Sequence, residues 1–234
     1  AAAAILTDYV LTVAVSVTAG TVAVTSAAPV LAEHKVVIAV GFVAFITLAN
    51  LRGVKEASTM FAVPTYGFVA MVYLTLITGF ARCVGGCPAA ASSSLQLEPV
   101  QALSTFLVLR AFSSGATALT GVEAIADGVQ AFRRPQARNA ATTLAVMGSL
   151  SISMFLGITF LARAFDIRVS EHVEAPSVLA QIGQTAFGAR SLPFYVLQAF
   201  TAGILILAAN TAYQDFPRLS SILARDRFMP SQFR

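Results

Sequence analysis

Residues 113–132 read SSGATALTGVEAIADGVQAF. They follow an apolar helical run, VQALSTFLVLRAF over 100–112, and resume as an amphipathic helix after Gly121. An apolar run that breaks into Gly, Ser and Thr and then continues reads as a discontinuous membrane helix. Such a break presents backbone carbonyl and N–H groups to a ligand near the bilayer midplane. Irregular backbone at that depth persists only where it lines a cavity or is buried in protein. The competing reading is close helix packing through small residues. Packing alone gives no reason for Glu123, two residues after Gly121, because a charge in hydrocarbon costs on the order of 3 kcal/mol or more.

The rest of the chain supports a bilayer setting. Hydrophobic residues make up 57% and charged residues only 11%, with a mean hydropathy of +0.78. A soluble domain carries roughly 25% charged residues, so this composition belongs to an integral membrane protein. The net charge of +4 needs no nucleic acid to explain it. No basic patch is interleaved with aromatic residues, which excludes nucleic-acid binding as the working function. Metalloprotease, hydrolase, Walker and dinucleotide signatures are all missing, and the chain is not read as an enzyme. No cofactor is implied. The first residues, AAAAILTDYVL, lie inside an apolar run with no basic segment before it, unlike a signal peptide. The chain reads as an internal part of a longer protein.

A spanning helix needs about 20 mostly apolar residues. The sequence predicts one all-α transporter domain over 1–234, with about six membrane segments. These are 1–29, 36–51, 58–80, a broken segment over 100–132, 140–165, and 193–223 with Pro217 inside the last. Strand alternation is not sustained, which argues against a β-barrel. Lys and Arg collect on cytoplasmic connections. Arg52, Lys55, Arg133, Arg134, Arg138, Arg218, Arg225, Arg227 and Arg234 fall on one side, and Lys35, Arg82, Arg163, Arg168 and Arg190 on the other. The connections at 52–57 and 133–139 and the C-terminal end are therefore predicted to be cytoplasmic, and segment 1–29 to run outward.

Polar residues inside these segments are the candidate site. Asp8, Thr12 and Ser16 stand at i, i+4 and i+8, which stacks them on one helix face. Thr and Ser alone would mean little, since they bond back to their own helix; Asp8 changes that balance. Thr120 and Glu123 stand one turn apart, and Asp127 one turn further. Asp127 is nearer the helix end, where facing water explains it. Oxygen ligands of this kind suit a small cation. A proton and a cation compete for one carboxylate charge, which couples binding to protonation.

Other polar features have plainer readings. Asn210, Thr211 and Asp215 form a cluster that reads as helix termination at the membrane interface, with a second ion site as the alternative. Arg110 suits a lipid interface or vestibule. Cys83 and Cys87 in CVGGC either form a disulfide in an oxidising compartment or stand as two free thiols. No His or second Cys pair lies near enough to make zinc the better reading. His34 and His172 fall in connections predicted to face outside.

Three stretches carry a resemblance: DYVLTVAVSVTAG (8–20), SSGATALTGVEAIADGVQAFRRPQARNAATTLAVMG (113–148) and LAANTAYQDFPRLSSILARDRFMP (207–230). Together they resemble the KimA-type branch of the amino acid–polyamine–organocation (APC) superfamily, whose sequences are broadly described as amino acid permeases. The resemblance implies a LeuT-like fold of two inverted five-helix repeats, of which this chain would supply helices 3 to 8, with 100–132 as the broken helix 6. It implies potassium import driven by proton symport across a prokaryotic plasma membrane. It also implies that the potassium ligands of the branch fall here on Asp8, Thr12, Ser16, Thr120 and Glu123, with Glu123 and Asp8 as the proton-coupling pair. The implied partners are a potassium ion or another small polar solute, the lipid bilayer and, in some members, a second copy held through regions outside this chain. A proton-coupled amino acid permease is the first rival. A non-transporting membrane scaffold or sensor is the second.

Overall fold

Backbone N–H and C=O groups in hydrocarbon have no water to bond, so an apolar run that crosses a bilayer satisfies them by forming a helix. A computed structural model of the chain describes residues 2–51, 58–95, 104–115, 125, 129, 132–169, 176–230 and 232. Its long elements are α1 (Ala2–Ala27), α2 (Lys35–Leu51), α3 (Ser58–Cys83), α4 (Thr105–Gly115), α5 (Gln136–Ala164), α6 (Val178–Phe187) and α7 (Leu192–Arg225). Short 3-10 helices at Pro29–His34 and Ala91–Ser94 occupy two of the connections. No strand occurs among the described residues. Five stretches are long and apolar enough to cross a membrane: Ala4–Ala27, Pro29–Leu51, Ala62–Cys83, Gln136–Ala164 and Leu192–Arg225. The all-α polytopic class expected from composition is what the structure shows.

Of the sixth predicted segment only part is described. Its first part forms α4, entered through Ser104, whose side chain accepts from the Leu107 N–H at 3.2 Å. The Gly-rich break after Gly115 and most of the following helix, including Thr120, Glu123 and Asp127, lie outside the described residues. So do residues 52–57 and His172.

Two further boundaries move. Segment 140–165 begins earlier, because α5 starts at Gln136, directly after Pro135. A proline at the front of a helix loses no bond that the helix needs. Asn139 then reaches back to the Arg133 carbonyl at 2.8 Å. The connection between α5 and α7, expected as a loop, contains α6. It is opened by Ser177, whose hydroxyl accepts from the Ala180 N–H, and closed by Gly188 at φ 99°. Side-chain capping at one end and a positive-φ glycine at the other are standard helix boundaries.

The chain divides into two compact units, residues 1–93 with 161–234, and residues 94–160. In the first, α1 packs along α7, and α2, α3 and α6 pack around that pair. Lipid tails are as apolar as leucine, so membrane helices associate through van der Waals contact, favoured by small residues that let backbones approach. Gly20 and Ala23 of α1 and Ala202, Ala209 and Ala212 of α7 serve this. Val17, Ile46 and Ala209 form a buried cluster that joins α1, α2 and α7. Two glycines permit close approach elsewhere. A Cβ at Gly67 of α3 would collide with the Phe200 ring, and one at Gly183 of α6 would sit 2.8 Å from Leu197. The second unit holds α4 and most of α5, whose Val146, Met147, Ile152, Phe155, Leu156 and Phe160 are exposed. Such a face suits lipid or a neighbouring helix.

Candidate functional site

The α1 helix is unbroken, so Asp8, Thr12 and Ser16 occupy successive turns of one face. Their exposure falls along the line. Asp8 is exposed, Thr12 half-buried and Ser16 only 8% exposed. The line therefore starts at the open edge of the α1–α7 pair and leads into it. One turn further, Gly20 lies against α7, with its Cβ position 3.8 Å from the Ala202 carbonyl oxygen. The two other expected ligands, Thr120 and Glu123, fall outside the described residues. Among the described residues no group of three His, Cys, Asp or Glu side chains could hold a metal ion.

Two polar features of α7 were not singled out from sequence in this form. The first joins α7 to α2. The Asn50 amide donates to Asn210 Oδ1 at 2.8 Å and to the Ile46 carbonyl at 2.8 Å. The Thr47 hydroxyl and the Tyr213 hydroxyl share a bond of 3.0 Å. Asn210 and its neighbours were read as helix termination. The structure overturns that reading, since α7 runs unbroken from Leu192 to Arg225 through Pro217. Asn210 and Tyr213 are satisfied sideways by α2 and Thr211 by the Leu207 carbonyl of its own helix, so these side chains give the helix no need to end there.

The second feature is Gln198. It is 1% exposed, and among the described residues neither Nε2 nor Oε1 has a hydrogen-bond partner. Its turn of α7 touches three other helices. Leu197 meets Gly183 of α6, Phe200 meets Gly67 of α3, and Ala202 meets Gly20 of α1.

At the edge of the bundle near α6, Ser92 donates to Gln181, Gln181 donates to the Pro176 carbonyl at 2.9 Å, and Arg82 reaches the Thr185 carbonyl at 3.3 Å. Cys83, the last residue of α3, is disulfide-bonded to Cys87.

The profile of the amino acid permease family matches residues 1–234, the whole chain. The chain belongs to the amino acid permease family. It is also 44% identical over 234 residues to the potassium transporter KimA of Bacillus subtilis (strain 168), an alignment that takes in 100% of this chain and 38% of that protein. The chain thus spans 38% of the length of the curated relative it matches. It is a multi-pass membrane protein of a transporter family, and the KimA-type resemblance carried by its three motifs holds over its full length.

The permease framework explains why Gln198 escapes a motif search. It is the one carboxamide in the apolar run PFYVLQAFTAGILILAA over 193–209. A lone amide has no ligand spacing to mark it. Its presence in a run otherwise filled with apolar and small residues is the signal that sequence offers. Asn50 had a similar signal, as the polar end of ITLAN at 46–50.

Proposed function

We propose that this chain is part of a secondary transporter that imports potassium together with protons. The observation that carries the reading is the 44% identity, over every residue of the chain, to a protein named as a potassium transporter. The resemblance to the KimA-type branch, which implies ion ligands at Asp8, Thr12, Ser16, Thr120 and Glu123, supports it. In this reading Thr12, Ser16 and Thr120 supply neutral oxygens in place of the hydration shell of the ion. Asp8 and Glu123 balance its charge, and one of them carries the coupled proton. A proton leaving as the cation arrives is the simplest coupling that one shared carboxylate permits. Transport would follow by rocking one helix bundle against another around that site. The connections at 52–57 and 133–139 and the C-terminal end face the cytoplasm of a prokaryotic plasma membrane, in keeping with their Lys and Arg content. The reading calls for no enzymatic step, cofactor or nucleic acid.

The family description, amino acid permease, favours a second reading. There the Gly-rich break at 115–121 would bind the α-carboxylate of an amino acid through backbone N–H groups, as helix ends bind anions. An anionic group beside Glu123 and Asp8 would be repelled, which places this reading second. Both differ from a scaffold or sensor by requiring net solute flux.

The test is rubidium uptake into proteoliposomes containing the full-length protein that carries this chain, under an inward proton gradient, beside Glu123→Gln. Gradient-driven uptake that the variant loses supports proton-coupled potassium import. A well-folded protein that takes up no rubidium overturns it and directs the assay to amino acids.

A further inference from the structure

The last residue of α3 is bonded to a residue only four positions further on, Cys83 to Cys87. A bridge over so short a loop restrains the unfolded chain least, so it adds little to global stability. Nor does it fasten a packed core. Val84, inside the loop, is 91% exposed, and the Cβ positions of Gly85 and Gly86 face open space. Gly86 turns the chain at φ 109°, a conformation that glycine takes without strain. Two turn bonds accompany the bridge, from the Val84 N–H to the Ala81 carbonyl at 3.3 Å and from the Gly86 N–H to the Cys83 carbonyl at 3.2 Å. What the bridge fixes is the direction in which the chain leaves α3.

The segment beyond it, 88–94, is a strap pinned to two other elements. The Ala90 N–H donates to the Phe165 carbonyl at 2.8 Å, just past the end of α5, and both residues are buried. The Ser92 hydroxyl accepts from the Arg168 N–H at 3.2 Å and donates to Oε1 of Gln181 on α6. Gln181 is itself buried. The end of α3 reaches the same helix directly, through Arg82 and the Thr185 carbonyl. So α6 rests on the strap, on the end of α3 and, through Gly183, on Leu197 and Phe194 of α7. Its ten residues are too few to hold a place by helical stability alone. Its position is set by what fastens it, and the Cys83–Cys87 bridge joins two of the fasteners. The bridge is also within reach of solutes, because Cys87 is exposed and Cys83 only half-buried.

We propose that the Cys83–Cys87 bridge is an exchange site for low-molecular-weight thiols, and that its redox state sets how firmly the strap holds α6. A small thiolate attacks the exposed Cys87 sulfur. The bond between the two cysteine sulfurs breaks, Cys87 is left in a mixed disulfide, and Cys83 departs as a thiolate that takes up a proton. A second small thiolate attacks the small-thiol sulfur of the mixed disulfide, and Cys87 departs and is protonated in turn. Two small thiols are thereby oxidised to one disulfide, and the two cysteines are reduced. With the bridge open, the chain pivots freely at Gly85 and Gly86, the strap loses its short tie to α3, and α6 loosens. The latch is independent of which solute the protein carries.

The test is hydrogen exchange read by mass spectrometry on the full-length protein that carries this chain. Protein with the bridge closed is compared with the same protein after glutathione, and with the Cys83→Ser, Cys87→Ser double variant. Glutathione should open the bridge in the folded protein, read as two thiols that become open to alkylation. Exchange over the strap and α6 should then rise about tenfold, with α1 and α2 unchanged. The double variant should match the opened protein and no longer respond to glutathione. A bridge that glutathione leaves closed overturns the exchange site, as do two free thiols in protein isolated without reductant. Unchanged exchange at the strap and α6 after opening overturns the latch. Faster exchange throughout the protein also overturns it and assigns the bridge to general stability.

Discussion

Within residues 209–215 of α7, Asn210 and Tyr213 pair their side chains with α2, whereas within 192–203 the Gln198 carboxamide has no partner among the described residues. In the later stretch Asn210 meets Asn50 and Tyr213 meets Thr47, both across to α2. In the earlier stretch Gln198 meets no partner among the described residues although it is more deeply buried. The packing differs as well. The earlier stretch is seated on glycines of α3 and α6, whereas the later one joins the Val17–Ile46–Ala209 cluster. A paired amide inside a membrane bundle acts as glue between helices. An unpaired one in the same helix contributes nothing to holding the bundle together, so its presence asks for another explanation. Polarity at membrane depth thus marks function only after its bonds have been counted.

Five substitutions sharpen this contrast, and thermal unfolding in detergent reads all of them. Gly67→Val should have the largest effect, because its side chain would drive into the Phe200 ring. Overpacking of this type costs about 1–3 kcal/mol or more, and an unchanged midpoint would mean the helices are not in close contact there. Asn50→Leu strands Asn210 and should cost about 1–2 kcal/mol. Adding Asn210→Leu should restore much of that, since apolar replacement of both partners is nearly neutral. A double-mutant cycle measures the difference, and strict additivity would show that the two amides do not pair. Thr47→Val removes a single interhelical bond and should cost only about 0.6 kcal/mol. Gln198→Met should be neutral or should raise the midpoint, the opposite sign from Asn50→Leu at a deeper position. A clear loss of stability would show that the amide has a protein partner after all.

Much of the fold was legible because the bilayer imposes one length on every spanning helix. The runs that became α1, α2, α3, α5 and α7 each declared themselves by apolar length. The ten residues of α6 did not, being too short for a spanning run; only Ser177 and Gly188 hinted at its ends. The polar group Asn210, Thr211 and Asp215 suggested a helix end because sequence does not show what stands across the interface. Once Asn50 is placed opposite Asn210, and Thr211 bonds the Leu207 carbonyl of its own helix, continuation is favoured. For the candidate site, the i, i+4, i+8 spacing was enough to align Asp8, Thr12 and Ser16, since that follows from helical geometry alone. Their graded burial was not readable, because it depends on where α7 crosses α1. The burial of Gln198 was unreadable for the same reason: the neighbours of its turn come from three other helices.

The length of α7 has a mechanical consequence. Its 34 residues make a shaft about 51 Å long, while the hydrocarbon it crosses is about 30 Å thick. Even leaning by about 40°, the upper end of the usual range, the shaft would have roughly 9 Å to spare. At least one end must therefore stand among the headgroups, and Arg218 and Arg225 are placed to seat it there. A rod fixed in this way does not slide along its axis. Any displacement at the Gln198 end must be taken up as swing, with Pro217, where one backbone bond is missing, as the natural place for it to give.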